Sequence, residues 1–275
     1  MASKKNLLRT LAATAAVLLA TTLAACSGSS VSGDTITAGK LTIGTGNPAY
    51  EPWVVGDAPE SGEGFEAAVA YAVAEKLGFK AADVVWVRTT FDEAIAPGAK
   101  NFDFNLQQYS ITDERKANVD FSSAYYETAQ VVVTVAGSPA ASATSIADLK
   151  GYLLGAATGT TSYDAIGSVI NPTQKAQAFN SNDDAKAALT NGQVDAIVLD
   201  LPTALYASCC ELDGGKIVGQ LPTAAKGDQF GLVLDKGSKL TAAVTKAVDE
   251  LRADGTLAKL EEKWLTADAG VPVLK

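Results

Sequence analysis

The sequence predicts an α/β fold of two lobes, one inserted into the other, with a cleft between them. Three observations predict it. Short apolar strands alternate with helices over residues 41–121, and again over residues 145–200. The second block lies between two unbroken apolar strands, Gln130 to Val135 and Phe230 to Leu234, about a hundred residues apart. Two amphipathic helical stretches, Ser238 to Ala253 and Thr256 to Leu265, close the chain. The first lobe is expected over 38–130 plus 231–275. The second is expected over 131–230, with the two long strands as hinge crossings, an arrangement that opens and closes around a ligand.

Residues 1–25 read as a targeting segment rather than fold. Lys4, Lys5 and Arg9 form a basic head, and Leu11 to Leu23 is apolar or small and too short to span a bilayer. Residues 26–37 are rich in Ser, Gly and Thr and read as a flexible tether. Leu41-Thr42-Ile43-Gly44 is the first strand, followed by a Gly/Pro-broken loop carrying Asn47, Tyr50 and Trp53. A helix opens at Gly64-Phe65-Glu66 and closes at Gly78; Val84 to Val87 is the next strand, and Phe91 to Ala96 a short helix stopped by Pro97.

Phe102 to Phe121 is the stretch with chemical character. Phe102, Phe104 and Leu106 alternate with polar neighbours and predict a strand. Thr112 predicts a helix N-cap, with Asp113 and Glu114 in the first turn. Arg115 then stands where an acidic or amide residue would complete a capping box. A cation there opposes the helix dipole by about 0.3–1 kcal/mol, so it needs an anionic partner. That partner is internal (Asp113, Glu114 or Asp120) or a ligand carboxylate gripped by both prongs of the guanidinium.

In the inserted block, Tyr152 to Ala156 is a strand ending in Thr158-Gly159-Thr160-Thr161, where backbone N–H groups open toward an anion or the threonines simply cap. Val194 to Leu199 ends at Asp200, just before Pro202. Asp200 is therefore a helix N-cap or a cleft carboxylate. Ligands gather at the carboxyl ends of strands in such sheets, which brings these points together.

Composition excludes several functions. The 275 residues carry a net charge of −9 and a pI near 4.6, unsuited to nucleic acid or anionic lipid. No histidine is present, which removes histidine catalysis and histidine metal sites. No cofactor is implied. Beyond Cys26, only Cys209 and Cys210 remain, read as buried small hydrophobes or a vicinal disulfide.

Two motifs carry a resemblance. Ser110-Ile111-Thr112-Asp113-Glu114-Arg115 and Val119-Asp120-Phe121-Ser122 resemble the signature of solute-binding proteins of amino-acid ABC transporters, the polar amino-acid type. The element order, through the closing Ala253-Asp254-Gly255-Thr256 and Lys263-Trp264 pattern, resembles the same family. The likeness implies a periplasmic-binding-protein-like fold and no enzyme activity. It assigns Arg115, Ser110 and Thr160 or Thr161 to a ligand carboxylate and Asp200 to its ammonium. It assigns Tyr50 and Trp53 to stacking on the side chain, and it puts Gln108 in the pocket where Gly or Ser is common. Leu23-Ala24-Ala25-Cys26 resembles a bacterial lipobox and implies lipid on Cys26 and an extracytoplasmic chain anchored to the cell membrane. The implied partners are a free amino acid and a permease, with the chain a monomer. An amino-acid sensor is the alternative, and a dehydratase on the same fold a further one, with Glu51, Glu66, Asp92 or lysines as its acid–base groups. Asn47 stands where cation-binding members often carry an acid, which leaves the ligand's side chain open.

Overall fold

A computed structural model describes residues 31–222, 227–265 and 270–275. The targeting segment and Cys26 lie outside the described residues.

In chain order the elements are β1 (Leu41–Gly46), α1 (Phe65–Lys76), β2 (Val84–Thr89), α2 (Phe91–Ile95), β3 (Phe104–Asn105), α3 (Asp113–Asn118) and β4 (Val119–Thr128). Then come β5 (Gln130–Val135), α4 (Ile146–Leu149), β6 (Leu154–Ala157), α5 (Thr161–Ala165), β7 (Gln177–Phe179), α6 (Asn182–Thr190), β8 (Ala196–Asp200) and α7 (Leu201–Tyr206). The chain closes with β9 (Gly215–Gln220), β10 (Asp228–Asp235), α8 (Thr241–Ala253) and α9 (Thr256–Trp264).

These strands form two five-stranded sheets, ordered β2-β1-β3-β10-β4 and β7-β6-β8-β5-β9. The two orders follow one pattern. In each, three strands run parallel, and the long strand lying fourth (β10 or β5) runs antiparallel to both its neighbours. The fold is two-lobed α/β. Each lobe has its own core. Trp53, Phe65, Phe104, Phe230 and the inner faces of α1 and α8 fill the first, and Val132, Leu149, Leu154, Ile166 and Val198 lie in the second.

The crossings between sheets are short. The chain leaves the first sheet at Thr128 and enters the second at Gln130, and it returns between Gln220 and Asp228. The long strands are therefore sheet members throughout, and the crossings lie beside them. The C-terminus adds a third link: Val273 bridges to Gln220, and Leu274 is buried in the second core rather than remaining with the first. Of the segment read as a tether, residues 31–37 are described, and the Ile36 N–H donates to Asp103 Oδ1 at 2.9 Å.

Two strands were not foreseen. β4 lies at the sheet edge, its pairing with β10 interrupted by register shifts, so its residues do not alternate cleanly between faces. β9 also lies at an edge and contains two glycines. The expected strand at Phe102 shrinks to β3; just before it the Asp103 N–H donates to the Thr42 carbonyl at 2.7 Å, while the Asp103 carboxylate accepts from the N–H groups of Ile36 and Thr42. Cys209 and Cys210 are bonded to each other and exposed, on a π-helical turn that extends α7. The buried alternative is thereby corrected: Ala207 buries the start of that turn in the core, and the two cysteines lie on its exposed side.

Candidate ligand-binding site

The parallel strands β1, β3, β6 and β8 point their carboxyl ends at one gap between the lobes. A cavity of about 140 Å³ lies there, lined from both sides. The first lobe contributes Asn47, Tyr50, Phe91, Asp92, Gln108, Ser110 and Arg115; the second contributes Thr158, Thr160, Thr161, Ser162, Asn182 and Asp200. A larger hollow of about 760 Å³ runs along the outer edge of β4, but the first lobe alone lines it.

Arg115 is the centre of the gap. Thr112 caps α3 by accepting from the Arg115 N–H at 3.1 Å, which fixes the helix start and aims the arginine side chain inward. The residue is only 7% exposed. One guanidinium nitrogen donates to the Ser110 carbonyl at 2.7 Å, and the other to the Gly159 carbonyl, across the gap, at 2.8 Å. Its carbon stands 5.3 Å over the Phe91 ring. No carboxylate lies within ion-pair distance of it among the described residues. Two of the three internal partners open at the sequence level are engaged elsewhere: Asp113 pairs with Lys116, and Asp120 with Lys236. Burial pulls the Arg115 pKa down, against the attraction of Tyr109, Asp200 and Asp228.

Asp200 faces Arg115 from the second lobe. It occupies the N-cap position of α7, yet its side chain makes no capping bond. Instead Oδ1 accepts from Gln130 Nε2 at 2.8 Å. Burial first, and the Asp228 carboxylate second, push its carboxyl up to about 7. The cap alternative is thus removed.

The threonines divide their labour. The Thr160 hydroxyl is consumed locally, accepting from the Tyr163 N–H at 3.1 Å and donating to the Ala157 carbonyl at 2.6 Å. Thr161 reaches across the gap, its hydroxyl 3.1 Å from that of Ser110. Gly159 takes φ +70°, and a Cβ there would sit 2.8 Å from Asp92 Oδ1, so this close approach of the lobes suits glycine.

Tyr50 lines the cavity, with the Lys186 ammonium 5.4 Å from its ring centroid. Burial, and after it Asp183, push its phenol up to about 12. Trp53 does not line the cavity. It is fully buried against Phe65, Tyr126 and Phe230, and its indole N–H donates to Thr203 Oγ1 at 2.9 Å. The resemblance implied that Tyr50 and Trp53 both stack on the ligand; instead Trp53 seals the core and ties it to α7. Phe91, absent from the sequence reading of the site, supplies the second cavity aromatic.

Gln108 takes φ +52° and turns its amide onto Glu66. Glu66 is buried, also accepts from the Gln108 N–H at 2.8 Å and from the Tyr125 hydroxyl, and is pushed up to about 7 by burial. It is enclosed by these donors and does not line the cavity. Gln130 and Asp228 were also missed. Gln130 is the one polar residue opening an apolar strand, a signal legible in hindsight; Asp228 follows a glycine and carries none.

Residues 41–267 match the model of the bacterial extracellular solute-binding proteins, family 3. The chain belongs to that family. An L-arginine-binding protein of Pseudomonas aeruginosa is 31% identical over 228 residues, which cover 80% of this chain and 86% of that one. An ABC transporter glutamine-binding protein, GlnH, of Bacillus subtilis is 28% identical over 215 residues, covering 76% of each. Among solved structures, an ancestral arginine-binding protein bound to arginine superposes with a TM-score of 0.68 at 34% identity, covering 83% of this chain and 99% of that one. As a member of that family, this chain is a solute-binding protein. No described helix is long and apolar enough to cross a membrane.

Proposed function

We propose that this family 3 protein captures a free α-amino acid between its lobes outside the cytoplasm and hands it to the permease of an ABC transporter. The observation that carries this reading is Arg115: a buried guanidinium, fixed by two carbonyls, with no carboxylate partner among the described residues. Leaving such a charge unpaired is costly, and a ligand carboxylate relieves it. Ser110, Thr161 and the N–H groups that begin α5 complete the carboxylate end. Asp200 takes the ammonium. Tyr50 and Phe91 flank the side chain, with Gln108 closing the pocket behind them.

We divide the chain into a first lobe of 38–128 plus 228–265 and a second lobe of 130–221 carrying the tail 271–275. Because the two charged groups belong to different lobes, the zwitterion favours the closed form by its extra affinity for it. Residues 1–25 serve as the export signal, and lipid on Cys26 anchors the monomer at the cell membrane. Binding, with no chemical step, is the activity.

The test is a thermal-shift screen of the twenty amino acids on the mature chain. A ligand at a hundredfold excess over its Kd adds about 2.7 kcal/mol of stability, a plain rise in Tm. At least one amino acid is expected to give it, while its α-carboxamide does not. If none of the twenty moves the melting point, the proposal fails.

A further inference from the structure

At the base of the gap, one amide joins both lobes. Gln130, the first residue of β5, donates its Nε2 to Asp200 Oδ1 at 2.8 Å and to Asp228 Oδ2 at 2.8 Å. Thr161 Oγ1 lies 3.4 Å from the same nitrogen. The orientation of the amide is fixed, because Ser162 Oγ donates to Gln130 Oε1 at 2.6 Å. Asp228 opens β10, in the other sheet, and Ser110 Oγ donates to its Oδ2 at 3.4 Å. Asp200 and Asp228 thus lie on opposite sides of the returning crossing and share one neutral donor.

Two acceptor oxygens on one nitrogen are close enough for strong mutual repulsion, since like charges within about 6 Å disfavour joint ionisation. One N–H for each carboxylate does not neutralise two charges. The other charged groups around Asp200 are Arg115 on α3, which attracts it, and Glu66 on α1, which repels it. Glu66 is itself enclosed by Gln108 and Tyr125.

We propose that Asp228, coupled to Asp200 through the amide of Gln130, makes the hinge hold a proton that the ligand's ammonium expels on capture. The inference rests on the amino-acid reading given above. Asp228 acts here as a positioning residue. The balance is simple: the Asp200 carboxyl loses its proton to solvent, and the resulting carboxylate accepts a hydrogen bond from the incoming ammonium, which keeps all its own protons. The raised Asp200 carboxyl, with burial and Asp228 as its two leading causes, agrees with this geometry. Ligand capture therefore weakens as pH falls below neutrality, by about tenfold per pH unit for one linked proton, and acidification favours release.

Two measurements test it. Carbon-13 NMR titration of the ligand-free chain reads the aspartate carboxyls with no ligand present. The wild type is expected to show one carboxyl titrating near neutrality, and Asp228→Asn, which keeps an oxygen acceptor for Gln130, to move it toward the ordinary aspartate range. Calorimetry of the amino acid identified by the thermal screen, repeated in buffers of different ionisation enthalpy, counts protons released. About one proton per ligand is expected near pH 6 in the wild type, and clearly fewer in Asp228→Asn, with a flatter pH profile of affinity. A wild type with no near-neutral carboxyl, or equal proton release in both proteins, overturns the proposal. A chain that binds no amino acid but keeps the near-neutral carboxyl overturns the ligand reading and leaves the carboxylate coupling standing.

Discussion

Arg115→Ala is expected to weaken amino-acid binding by at least about thirtyfold, and by up to several thousandfold, with the fold retained. Removing one partner of a buried, hydrogen-bonded charge pair costs about 2–5 kcal/mol. The present contacts of Arg115 are with the carbonyls of Ser110 and Gly159 and with the face of Phe91, so its loss leaves two carbonyl acceptors and no stranded charge. That is why affinity should suffer far more than stability. Arg115→Lys keeps the charge but not the two-pronged geometry, and should fall between wild type and alanine. Isothermal calorimetry gives the affinities and a thermal melt the stability. Unchanged affinity in Arg115→Ala would take the residue out of the site.

Asp200→Asn should move affinity and ligand-free stability differently. The charge-assisted bond to an ammonium is worth about 1.5–3 kcal/mol, so binding is expected to weaken about tenfold to 150-fold near pH 8. Stability follows the carboxyl's own titration. In the fold it is raised to about 7 from an ordinary 3.8, so its protonated form is the favoured one. Its contribution is complete below about pH 4 and is lost as pH rises through 7. The asparagine variant lacks that loss and keeps an oxygen for Gln130. Ligand-free Asp200→Asn should therefore melt at or above wild type at pH 8. The raised Glu66 carboxyl has the same sign but is present in both proteins, so the difference between them reads Asp200. A variant that melts well below wild type at pH 8 would show that the ionised carboxylate stabilises the hinge.

Much of this arrangement is legible in the residues. The alternation of strands and helices, the insertion of one lobe in the other, the Thr112 cap and the placement of Arg115 all follow local rules of period and capping. The contents of the pocket follow them less well. Tyr50 and Trp53 sit three residues apart in one loop, yet one lines the cavity and the other is buried in the core. Spacing in an irregular loop does not fix which way a side chain turns. Gln130 and Asp228 are about a hundred residues apart and meet only because β5 and β10 each begin where the chain crosses between the sheets. The edge strands β4 and β9 escape a period-2 search because bulges and glycines break the alternation.

The central claim is that one zwitterion is gripped at its two ends by different lobes. A crystal structure of the chain grown with the amino acid that raises Tm most tests it directly. The account predicts the ligand carboxylate within hydrogen-bond distance of the Arg115 guanidinium and the ammonium within hydrogen-bond distance of Asp200. A bound solute with Arg115 still turned only to the Ser110 and Gly159 carbonyls, and Asp200 only to Gln130, would contradict it.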